Sequence, residues 1–314
     1  MNRVMVQPNP IKEEAVRVSR KLVSLLLREK FEVLALEEFR QVLCEGLEAH
    51  EAAQVRFMNA PDIYPACDFI MVVGGDGTIL RIAPDASLYR KPVLGVNCGT
   101  IGFMSEIEPE ELEMVRMVKE GSFTLDDRAM LDITVYDDLG NTKYTAIALN
   151  EAVVTKGFFN RVIPLSVIVD GQEVFQFSGD GVIVTTPTGS TAYSLAAGGP
   201  IMAPSSDCLA VTPICPHSLT IKSFVVSAAS IVTVMPEYKG HQVFLSPDGD
   251  TYELQTGDVV VIQRSQRIFS LLRIKGQGFY EIIFGFKMRI KGCTSDVSPI
   301  DDFADRNFGK LFFG

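Results

Sequence analysis

The sequence is poor in the side chains that build metal and disulfide sites. Among its 314 residues are three histidines, too few to suggest a His-rich metal centre. Its six cysteines are scattered and never form a Cys-x-x-Cys pair; they stand at positions 44, 67, 98, 208, 215 and 293. This usage predicts neither a zinc site nor a disulfide framework, and it favours a reducing, cytoplasmic compartment.

Long apolar runs are also missing. No stretch is long enough to span a bilayer, and the segment from Met1 to Val6 lacks the apolar core of a signal peptide. The formal net charge of −10 argues against nucleic acid or an anionic membrane as a partner. A ligand that carries phosphate would therefore need local positive groups or backbone N–H donors.

Three familiar catalytic signatures are absent as well. There is no Gly-x-x-x-x-Gly-Lys-Ser/Thr sequence, which excludes a P-loop, and no Gly-x-Ser-x-Gly nucleophile elbow. The segment Gly75-Asp-Gly77 begins like the dinucleotide-binding fingerprint, but Leu80 occupies the position of its third glycine. The chemistry of this chain must therefore be sought in other motifs.

The most informative stretch runs from Ile70 to Arg81. It opens with a short apolar run that predicts a buried parallel strand, and the glycine-rich turn Gly74–Gly77 follows. Glycines let a ligand approach closely and leave backbone N–H groups free to hold anions. The acid within this turn, Asp76, does not suit an anion cradle. Two functional interpretations of Asp76 are a base acting on a hydroxyl and a Mg²⁺ ligand. The structural alternative is that Asp76 only caps the following helix.

Strands and helices alternate over residues 1–127, which predicts an α/β domain with a parallel, Rossmann-like sheet. Residues 3–6 are expected to form an edge strand, and residues 78–84 a short helix that Pro84 ends. In such sheets ligands bind beyond the carboxyl ends of the strands. Two glycine-bearing turns, 74–77 and 98–103, fall there, so we expect a site at this edge.

The pattern changes over residues 128–285 to short strands separated by turn signals, which predicts an all-β sandwich. Asp170-Gly171 predicts a type I′ hairpin turn, and Asp248-Gly249 marks a second tight turn. The tail, 286–314, has no strong periodicity, and we expect it either to pack back on the α/β domain or to stay outside it. Its acidic cluster, 296–305, is expected to be a solvated surface or a disordered segment.

Two polar motifs stand in the β domain. Asn150-Glu151 follows an apolar strand and has the groups to bind a base edge or sugar hydroxyls; a plain turn is the alternative. Asp180-Gly181 leads into Thr185–Tyr193, a loop with five threonine and serine hydroxyls. Alone, this loop is either a ligand-binding loop or an ornate turn with a helix cap at Thr191. Tyr193 either borders a ligand ring or belongs to the core.

Taken together, these motifs resemble the NAD kinase family. Gly74–Thr78 matches its Gly-Gly-Asp-Gly-Thr hallmark, Asn150-Glu151 its second motif and Thr186–Tyr193 its third, in the same order. The resemblance implies an α/β domain followed by a β-sandwich. It implies phosphoryl transfer from ATP, another triphosphate or polyphosphate to the adenosine ribose 2′-hydroxyl of NAD. It also implies a divalent metal ion, with Mg²⁺ expected, and a homodimer or homotetramer.

The resemblance implies a role for each matching residue. Asp76 is the expected general base on the 2′-hydroxyl. The turn that faces the phosphates is expected to contain Gly74, Gly75 and Thr78, with Arg81 in support. The residues expected to contact NAD are Gly77, Phe103, Asn150, Glu151, Arg161, Asp180, Thr191, Ala192, Tyr193, Ser194 and Ala196. Of these, Phe103 is expected to border the adenine and Asp180 the nicotinamide half. No residue is assigned as a metal ligand.

The sequence departs from the family pattern at Thr100, at Thr220–Ser223 and at Ser246–Asp250.

Two other functions remain open. One is a lipid or sugar kinase of the same Gly-Gly-Asp-Gly superfamily. Such an enzyme would need an apolar pocket for a lipid or carboxylates that bind a sugar. The other is a non-catalytic dinucleotide sensor, which would bind NAD without consuming ATP.

Overall fold

The computed structural model describes residues 1–99, 102–157, 161–237, 242–276 and 279–280. Residues Met1–Gly276 form one compact unit, and Gln277–Gly314 are assigned to a second. The predicted behaviour of the tail from 286, and the departure at Thr100, concern residues outside the described ranges. No helix in the described part is both long enough and apolar enough to cross a membrane.

The first half is an α/β fold. Its strands are β1 Arg3–Pro8, β2 Glu32–Leu36, β3 Arg56–Met58, β4 Phe69–Gly74 and β5 Val93–Asn97. Its helices are α1 Glu13–Arg28, α2 Arg40–Cys44, α3 Ala49–Ala52, α4 Ala60–Ala66, α5 Asp76–Leu88 and α6 Arg116–Glu120, with 3₁₀ turns at Glu37–Phe39 and Pro109–Val115. The strands are parallel in the order β3-β2-β1-β4-β5. The order reverses between β1 and β4, the place where such sheets bind ligands.

Two local predictions in this half are wrong. The strand at residues 3–6 is not at an edge, because β1 pairs with both β2 and β4. Its residues Val4, Met5 and Val6 are all fully buried, as in a strand covered on both faces. Helix α5 starts at Asp76 and continues past Pro84 to Leu88. A proline lacks one helical N–H, but the helix persists because its apolar face packs into the core beneath it.

The second half is an antiparallel β-sandwich, as predicted. Its strands are β6 Thr124–Tyr136, β7 Thr142–Ala148, β8 Glu151–Lys156, β9 Ile163–Val169, β10 Gln172–Gly179, β11 Gly181–Thr185, β12 Cys208–Ile214, β13 Phe224–Ser227, β14 Val232–Pro236, β15 Val243–Pro247, β16 Tyr252–Leu254 and β17 Val259–Arg273. Helix α7, Tyr193–Ala196, and a 3₁₀ turn, Gly189–Thr191, follow β11. One sheet runs β13-β12-β11-β8-β15-β16, and the other contains β10, β9, β14, β17, β6 and β7.

Both predicted Asp-Gly turns are present between their strands. Asp170 and Gly171 have φ of 51° and 80°, and Asp248 and Gly249 have φ of 45° and 97°. Positive φ at both central residues is what type I′ turns require. The two sheets bury a common core of valines, leucines and isoleucines between them.

Strand β17 connects the two halves. It pairs with β14 and β6 in the sandwich, and its Leu271 then pairs in parallel with Val93 of β5. One 11-stranded sheet therefore runs from the sandwich into the α/β half. The boundary expected after residue 127 falls inside β6. Shared strands hold the carboxyl edge of the parallel sheet close to the sandwich.

Candidate active site

Asp76 lies at the start of α5, directly beyond the end of β4. The helix cap is Gly75, and no side chain caps the helix. The Asp76 carboxylate instead accepts hydrogen bonds from the backbone N–H groups of Phe103 (2.9 Å) and Met104 (3.2 Å). The alternative in which Asp76 only caps its helix is therefore wrong. The loop after β5 fixes this acid in place from across the sheet edge.

The ionisation of Asp76 reflects opposing influences. Burial raises the pKa of this carboxyl above its ordinary value, because the charged form loses water. The N–H groups of Phe103 and Met104 and the positive charge of Arg273 lower the pKa in part. An acid with a raised pKa that is held by hydrogen bonds is suited to accept a proton from a ligand.

The glycine turn is tightly packed on one side and open on the other. A Cβ at Gly74 would lie 2.4 Å from Thr78 Oγ1, a clash that only glycine avoids. That hydroxyl accepts a hydrogen bond from Asn9 Nδ2 at 3.1 Å, which ties the turn to the end of β1. A Cβ at Gly77 would meet no atom within 4 Å. The turn therefore closes the switch point of the sheet and leaves Gly77 accessible.

Asn150 and Glu151 lie where the chain passes from β7 in one sheet to β8 in the other. This corner is held by Asp248, whose carboxylate accepts the backbone N–H groups of Leu149 (2.6 Å), Asn150 (2.9 Å) and Glu151 (2.9 Å). The sequence marks Asp248-Gly249 as a tight turn and Ser246–Asp250 as a departure from the family pattern, but it does not single out Asp248 as a residue that holds Asn150 and Glu151. Its distance from Glu151 in the sequence leaves no local signal of this second role.

Buried side-chain atoms without a hydrogen-bond partner occur in the described residues at Asn150 Oδ1, Glu151 Oε2 and Ser105 Oγ. All three belong to the segments just described, since Ser105 follows the two residues that hold Asp76. Buried polar groups are almost always paired in folded proteins, so each exception requires an explanation. The unpaired atoms of Asn150 and Glu151 are adjacent in the chain, which indicates that this corner faces a ligand.

Glu151 carries a strongly perturbed carboxyl group. Burial is the main cause that raises its pKa to about 7, and the nearby charge of Asp248 adds to the effect. Backbone N–H groups of Ser194 and Tyr193 oppose this by hydrogen-bonding the charged form. A carboxyl that changes its charge near neutral pH without a cationic partner is typical of a functional site.

The raised pKa of Glu151 predicts how the free energy of unfolding depends on pH. In the folded state the carboxyl of Glu151 has a pKa of about 7, whereas the ordinary pKa of a glutamate carboxyl is 4.5. The folded state therefore binds this proton more tightly than the unfolded state does. The stabilisation that results is fully present below about pH 4.5 and is lost as the pH rises through 7. Between pH 5 and 8 we expect the wild type to lose on the order of 2–3 kcal/mol that Glu151→Gln does not lose.

Urea unfolding at the two pH values measures this difference. The control is Glu253→Gln, because Glu253 is exposed on β16 and should leave the pH dependence of the wild type unchanged. An identical pH dependence of the free energy of unfolding in the wild type and Glu151→Gln would contradict the burial of a protonated Glu151.

The hydroxyl-rich loop packs directly on the Asn150 corner. Thr186 Oγ1 donates to the Leu149 carbonyl at 2.6 Å, and the Thr186 N–H donates to the Asn150 carbonyl at 2.9 Å. A Cβ at Gly189 would lie 2.3 Å from the same Asn150 carbonyl oxygen, so only glycine permits this approach. Ser194 is fully buried, and its hydroxyl lies 3.1 Å from Thr212 Oγ1.

The end of this loop presents side chains to the surface. Helix α7 is preceded by Ala192 without a side-chain cap, so a helix cap at Thr191 is wrong. The Thr191 hydroxyl donates to the Thr188 carbonyl at 3.4 Å. Tyr193 is 45% exposed, which excludes a core role, and Ala196 on α7 is exposed too. Burial is the largest cause that raises the pKa of Tyr193, and the charges of Cys215, Asp180 and Glu151 raise it further.

The remaining predicted residues are placed less tightly. Asp180 lies between β10 and β11 and forms an ion pair with Lys156 at 2.7 Å. Arg161 is exposed just before β9, and Arg81 is exposed on α5. Within the described ranges, no hydrogen bond or ion pair connects either arginine to the other predicted site residues.

Packing brings the two halves of the site together. Leu149, next to Asn150, shares one buried cluster with Ile79 of α5 and with Met104, whose N–H holds Asp76. On the other side, Arg128 of β6 donates to Thr188 Oγ1 at 3.3 Å in the hydroxyl-rich loop. The turn with Asp76 and the corner with Asn150 are thus parts of one region of the molecule.

The described residues contain no group of three His, Cys, Asp or Glu side chains that could hold a metal ion. The Asp76 carboxylate, the best placed acid, is already engaged by two backbone N–H groups. These residues therefore do not fit a resident metal held by protein ligands alone. Mg²⁺ commonly binds through substrate phosphates with few protein ligands.

Known families match both halves of the chain. The ATP-NAD kinase N-terminal domain matches residues 4–117, and the ATP-NAD kinase C-terminal domain matches residues 149–274. An NAD kinase of Desulforamulus reducens is 38% identical over 286 residues, which are 90% of this chain and 96% of that protein. An NAD kinase of Symbiobacterium thermophilum is 43% identical over 243 residues, 74% of this chain and 85% of that protein.

Two solved structures share the fold of this chain. An NAD kinase from Archaeoglobus fulgidus in complex with ATP superposes with a TM-score of 0.65 at 26% identity, covering 91% of this chain and 98% of that chain. Yeast NADH kinase complexed with NADH shares the fold, with a TM-score of 0.82 at 23% identity over 94% of this chain and 89% of that chain. The two domain matches and the curated relatives show that this chain belongs to the ATP-NAD kinase family.

Proposed function

We propose that the chain transfers a phosphoryl group from ATP, or from another triphosphate or polyphosphate, to the 2′-hydroxyl of the adenosine ribose of NAD, giving NADP. One observation supports this most strongly. A hydrogen-bonded acid with a raised pKa, Asp76, belongs to the same region as the unpartnered buried atoms of Asn150 and Glu151. A base and a polar cradle for hydroxyl or base-edge groups are what this transfer requires.

Asp76 is the proposed general base. A ribose hydroxyl is a poor nucleophile at neutral pH, and a positioned base contributes roughly 10²–10⁴-fold. Asp76 takes the 2′-hydroxyl proton while the ribose oxygen bonds to phosphorus and the bond from phosphorus to the donor oxygen breaks. The raised pKa of Asp76 makes it a stronger proton acceptor than an ordinary aspartate. Holding donor and hydroxyl in line lowers the rest of the barrier.

The dinucleotide is proposed to lie along the hydroxyl-rich loop. Asn150 Oδ1 and Glu151 Oε2 accept hydrogen bonds from it, and Tyr193 provides an exposed ring beside it. The other proposed contacts are Gly77, Phe103, Arg161, Asp180, Thr191, Ala192, Ser194 and Ala196. Gly74, Gly75, Thr78 and Arg81 are proposed to face the donor phosphates, which would bring a divalent ion, Mg²⁺ in the simplest case. We also propose a cytoplasmic homodimer or homotetramer.

The other functions explain less of the site. A lipid or sugar kinase gives no reason for a hydroxyl-rich loop bonded to the Asn150 corner. A non-catalytic sensor gives no reason to hold Asp76 with two backbone N–H groups. Membership of the family, with 43% identity to the NAD kinase of Symbiobacterium thermophilum over 243 residues, also favours the kinase.

One assay separates the proposed kinase from the non-catalytic sensor. The purified chain is incubated with NAD, ATP and Mg²⁺, and NADP is read with an NADP-specific dehydrogenase. The proposal predicts NADP in amounts equal to the ADP formed, and none when NAD or the donor is left out. NAD binding without NADP, with ATP, other triphosphates and polyphosphate all tried, would support the sensor and overturn the kinase.

The glycine turn provides a test that separates ligand contact from folding. Gly77→Ala should leave the melting temperature unchanged or slightly higher, because its Cβ meets no atom within 4 Å and alanine favours helices. If Gly77 contacts ligand, the same methyl should raise KM by about 10-fold or more, a cost of roughly 1.4 kcal/mol. Thermal melts and steady-state kinetics measure both effects.

The matched variant is Gly74→Ala. Its Cβ would lie 2.4 Å from Thr78 Oγ1, so it should lower the melting temperature as well as activity. If Gly77→Ala kept wild-type KM values for both substrates, the proposed ligand contact at Gly77 would be wrong.

A further inference from the structure

A chain of four buried or half-buried charged side chains, which we call the charge network, connects the two halves of the candidate site. Arg128 and Asp126 lie on β6, Arg273 ends β17, and Glu106 lies in the loop after β5. Asp126 Oδ2 lies 2.5 Å from Arg128 Nη2 and 3.0 Å from Arg273 Nε. Arg273 Nη1 lies 3.0 Å from Glu106 Oε2. Two cations and two carboxylates thus balance each other.

The charge network ends against the backbone that holds Asp76. Arg273 Nη1 lies within 3.4 Å of the Met104 carbonyl oxygen and 3.5 Å of the Ser105 carbonyl oxygen. The N–H of Met104 donates to Asp76 Oδ1 at 3.2 Å. A single residue, Met104, therefore connects the Arg273 guanidinium to the proposed base. Its side chain is 10% exposed and that of Glu106 5% exposed, so water screens these charges little.

We propose that Arg273 is a positioning residue for Asp76. It holds the loop 103–105 against the carboxylate, and its positive charge favours the ionised base. The inference rests on the proposed role of Asp76, and it adds a residue that neither the motifs nor the resemblance pointed to. The Glu106 carboxylate fixes Arg273 from the far side and also accepts the N–H groups of Ile274 and Lys275, both at 2.7 Å.

The electrostatics agree with the geometry. In the described part, Arg273 has the largest effect of any charged side chain on Asp76, and it lowers the pKa of that carboxyl. The charged groups that face Arg273 are Glu106 from the loop after β5 and Asp126 from β6, and Arg128 faces Asp126 in turn. Removing the Arg273 charge should therefore raise the pKa of Asp76, because burial is then less opposed.

The alternative is that the charge network only joins the two halves of the fold. The two roles differ in what they do to Asp76. A purely structural arginine affects how much protein folds, whereas a positioning arginine affects the titration of Asp76 and the turnover of folded protein.

Three variants separate the two roles. They are Arg273→Met, Arg273→Lys, and Arg273→Met combined with Glu106→Gln, which avoids an unpaired buried carboxylate. Arg264→Met is the matched control, since Arg264 lies on the same strand and pairs with Asp207 at the surface.

Two measurements on the full-length chain test the proposal. The first is a ¹³C NMR titration of protein labelled at aspartate carboxyl carbons, with the Asp76 signal assigned by its absence in Asp76→Asn. The second is steady-state kinetics with NAD, ATP and Mg²⁺. We expect Asp76 to titrate at higher pH in both methionine variants and close to the wild-type position in Arg273→Lys and Arg264→Met. We expect kcat to fall about 10²-fold in Arg273→Met with little change in KM for NAD, and to recover in part in Arg273→Lys.

An unmoved Asp76 titration in folded Arg273→Met and in the double variant would overturn the proposal. So would a loss of kcat no larger than that of Arg264→Met. The titration needs no turnover, so it decides whether Arg273 acts on Asp76 even if the wild type makes no NADP. If no NADP formed but the titration of Asp76 shifted, the proposed function would be rejected, and the effect of Arg273 on Asp76 would stand.

Discussion

Asp76→Asn is expected to lower kcat by about 10²–10⁴-fold while the protein still folds and binds NAD. The substitution keeps the size of the side chain and one oxygen to accept a backbone N–H. It removes the group that takes the 2′-hydroxyl proton. Steady-state kinetics give kcat, and calorimetric titration with NAD gives the affinity, which should change by less than about 10-fold.

The control for this prediction is Asp85→Asn. Asp85 lies exposed on the same helix, and its carboxylate accepts a hydrogen bond from the Tyr64 hydroxyl at 3.2 Å, away from the turn. It should keep wild-type turnover. Turnover near the wild-type value in Asp76→Asn would contradict a base role for Asp76 and leave the site without a proton acceptor.

Asp248→Ala is expected to have the second large effect. Three backbone N–H groups at the Asn150 corner would lose their acceptor, at a cost of about 3 kcal/mol or more in the free energy of unfolding. NAD affinity should fall as well, because the corner presents Asn150 and Glu151. The pKa of Glu151 should fall, since the Asp248 charge is one of the causes that raise it.

Urea unfolding and NAD titration measure the first two effects, and the pH dependence of unfolding measures the third. Asp250→Ala is the matched control, because Asp250 belongs to the same turn but is exposed. If the stability and NAD affinity of Asp248→Ala equalled those of Asp250→Ala, the corner would not depend on Asp248.

Local patterns in the sequence are sufficient to predict the fold class of each half, but not that β17 joins the two halves in one sheet. Alternating strands and helices predicted the α/β half, and short strands with Asp-Gly turns predicted the sandwich. The apolar run before Gly74 also placed Asp76 at the carboxyl edge of the sheet, because that position follows from strand direction alone. The same rules could not place β1 inside the sheet, since an apolar run of that length does not reveal which strands will lie beside it.

The parts of the site that local patterns missed depend on long-range contacts. Arg273 and Glu106 are 167 positions apart in the chain, and neither belongs to a motif. Asp248 had a sufficient local explanation as a turn residue, which concealed its bonds to a segment almost 100 positions away. The pattern that does unite Asp76, Asn150 and the hydroxyl-rich loop is their order along the chain, and its meaning came from the resemblance to a family.

We propose that both halves of the molecule form one cleft in which the 2′-hydroxyl of NAD reaches Asp76. The most direct measurement is a crystal structure of Asp76→Asn with NAD bound. We expect the 2′-hydroxyl oxygen to lie within hydrogen-bond distance, roughly 2.6–3.2 Å, of the side chain at position 76, with the dinucleotide against Asn150 and Glu151. NAD bound with its 2′-hydroxyl away from position 76 would contradict it.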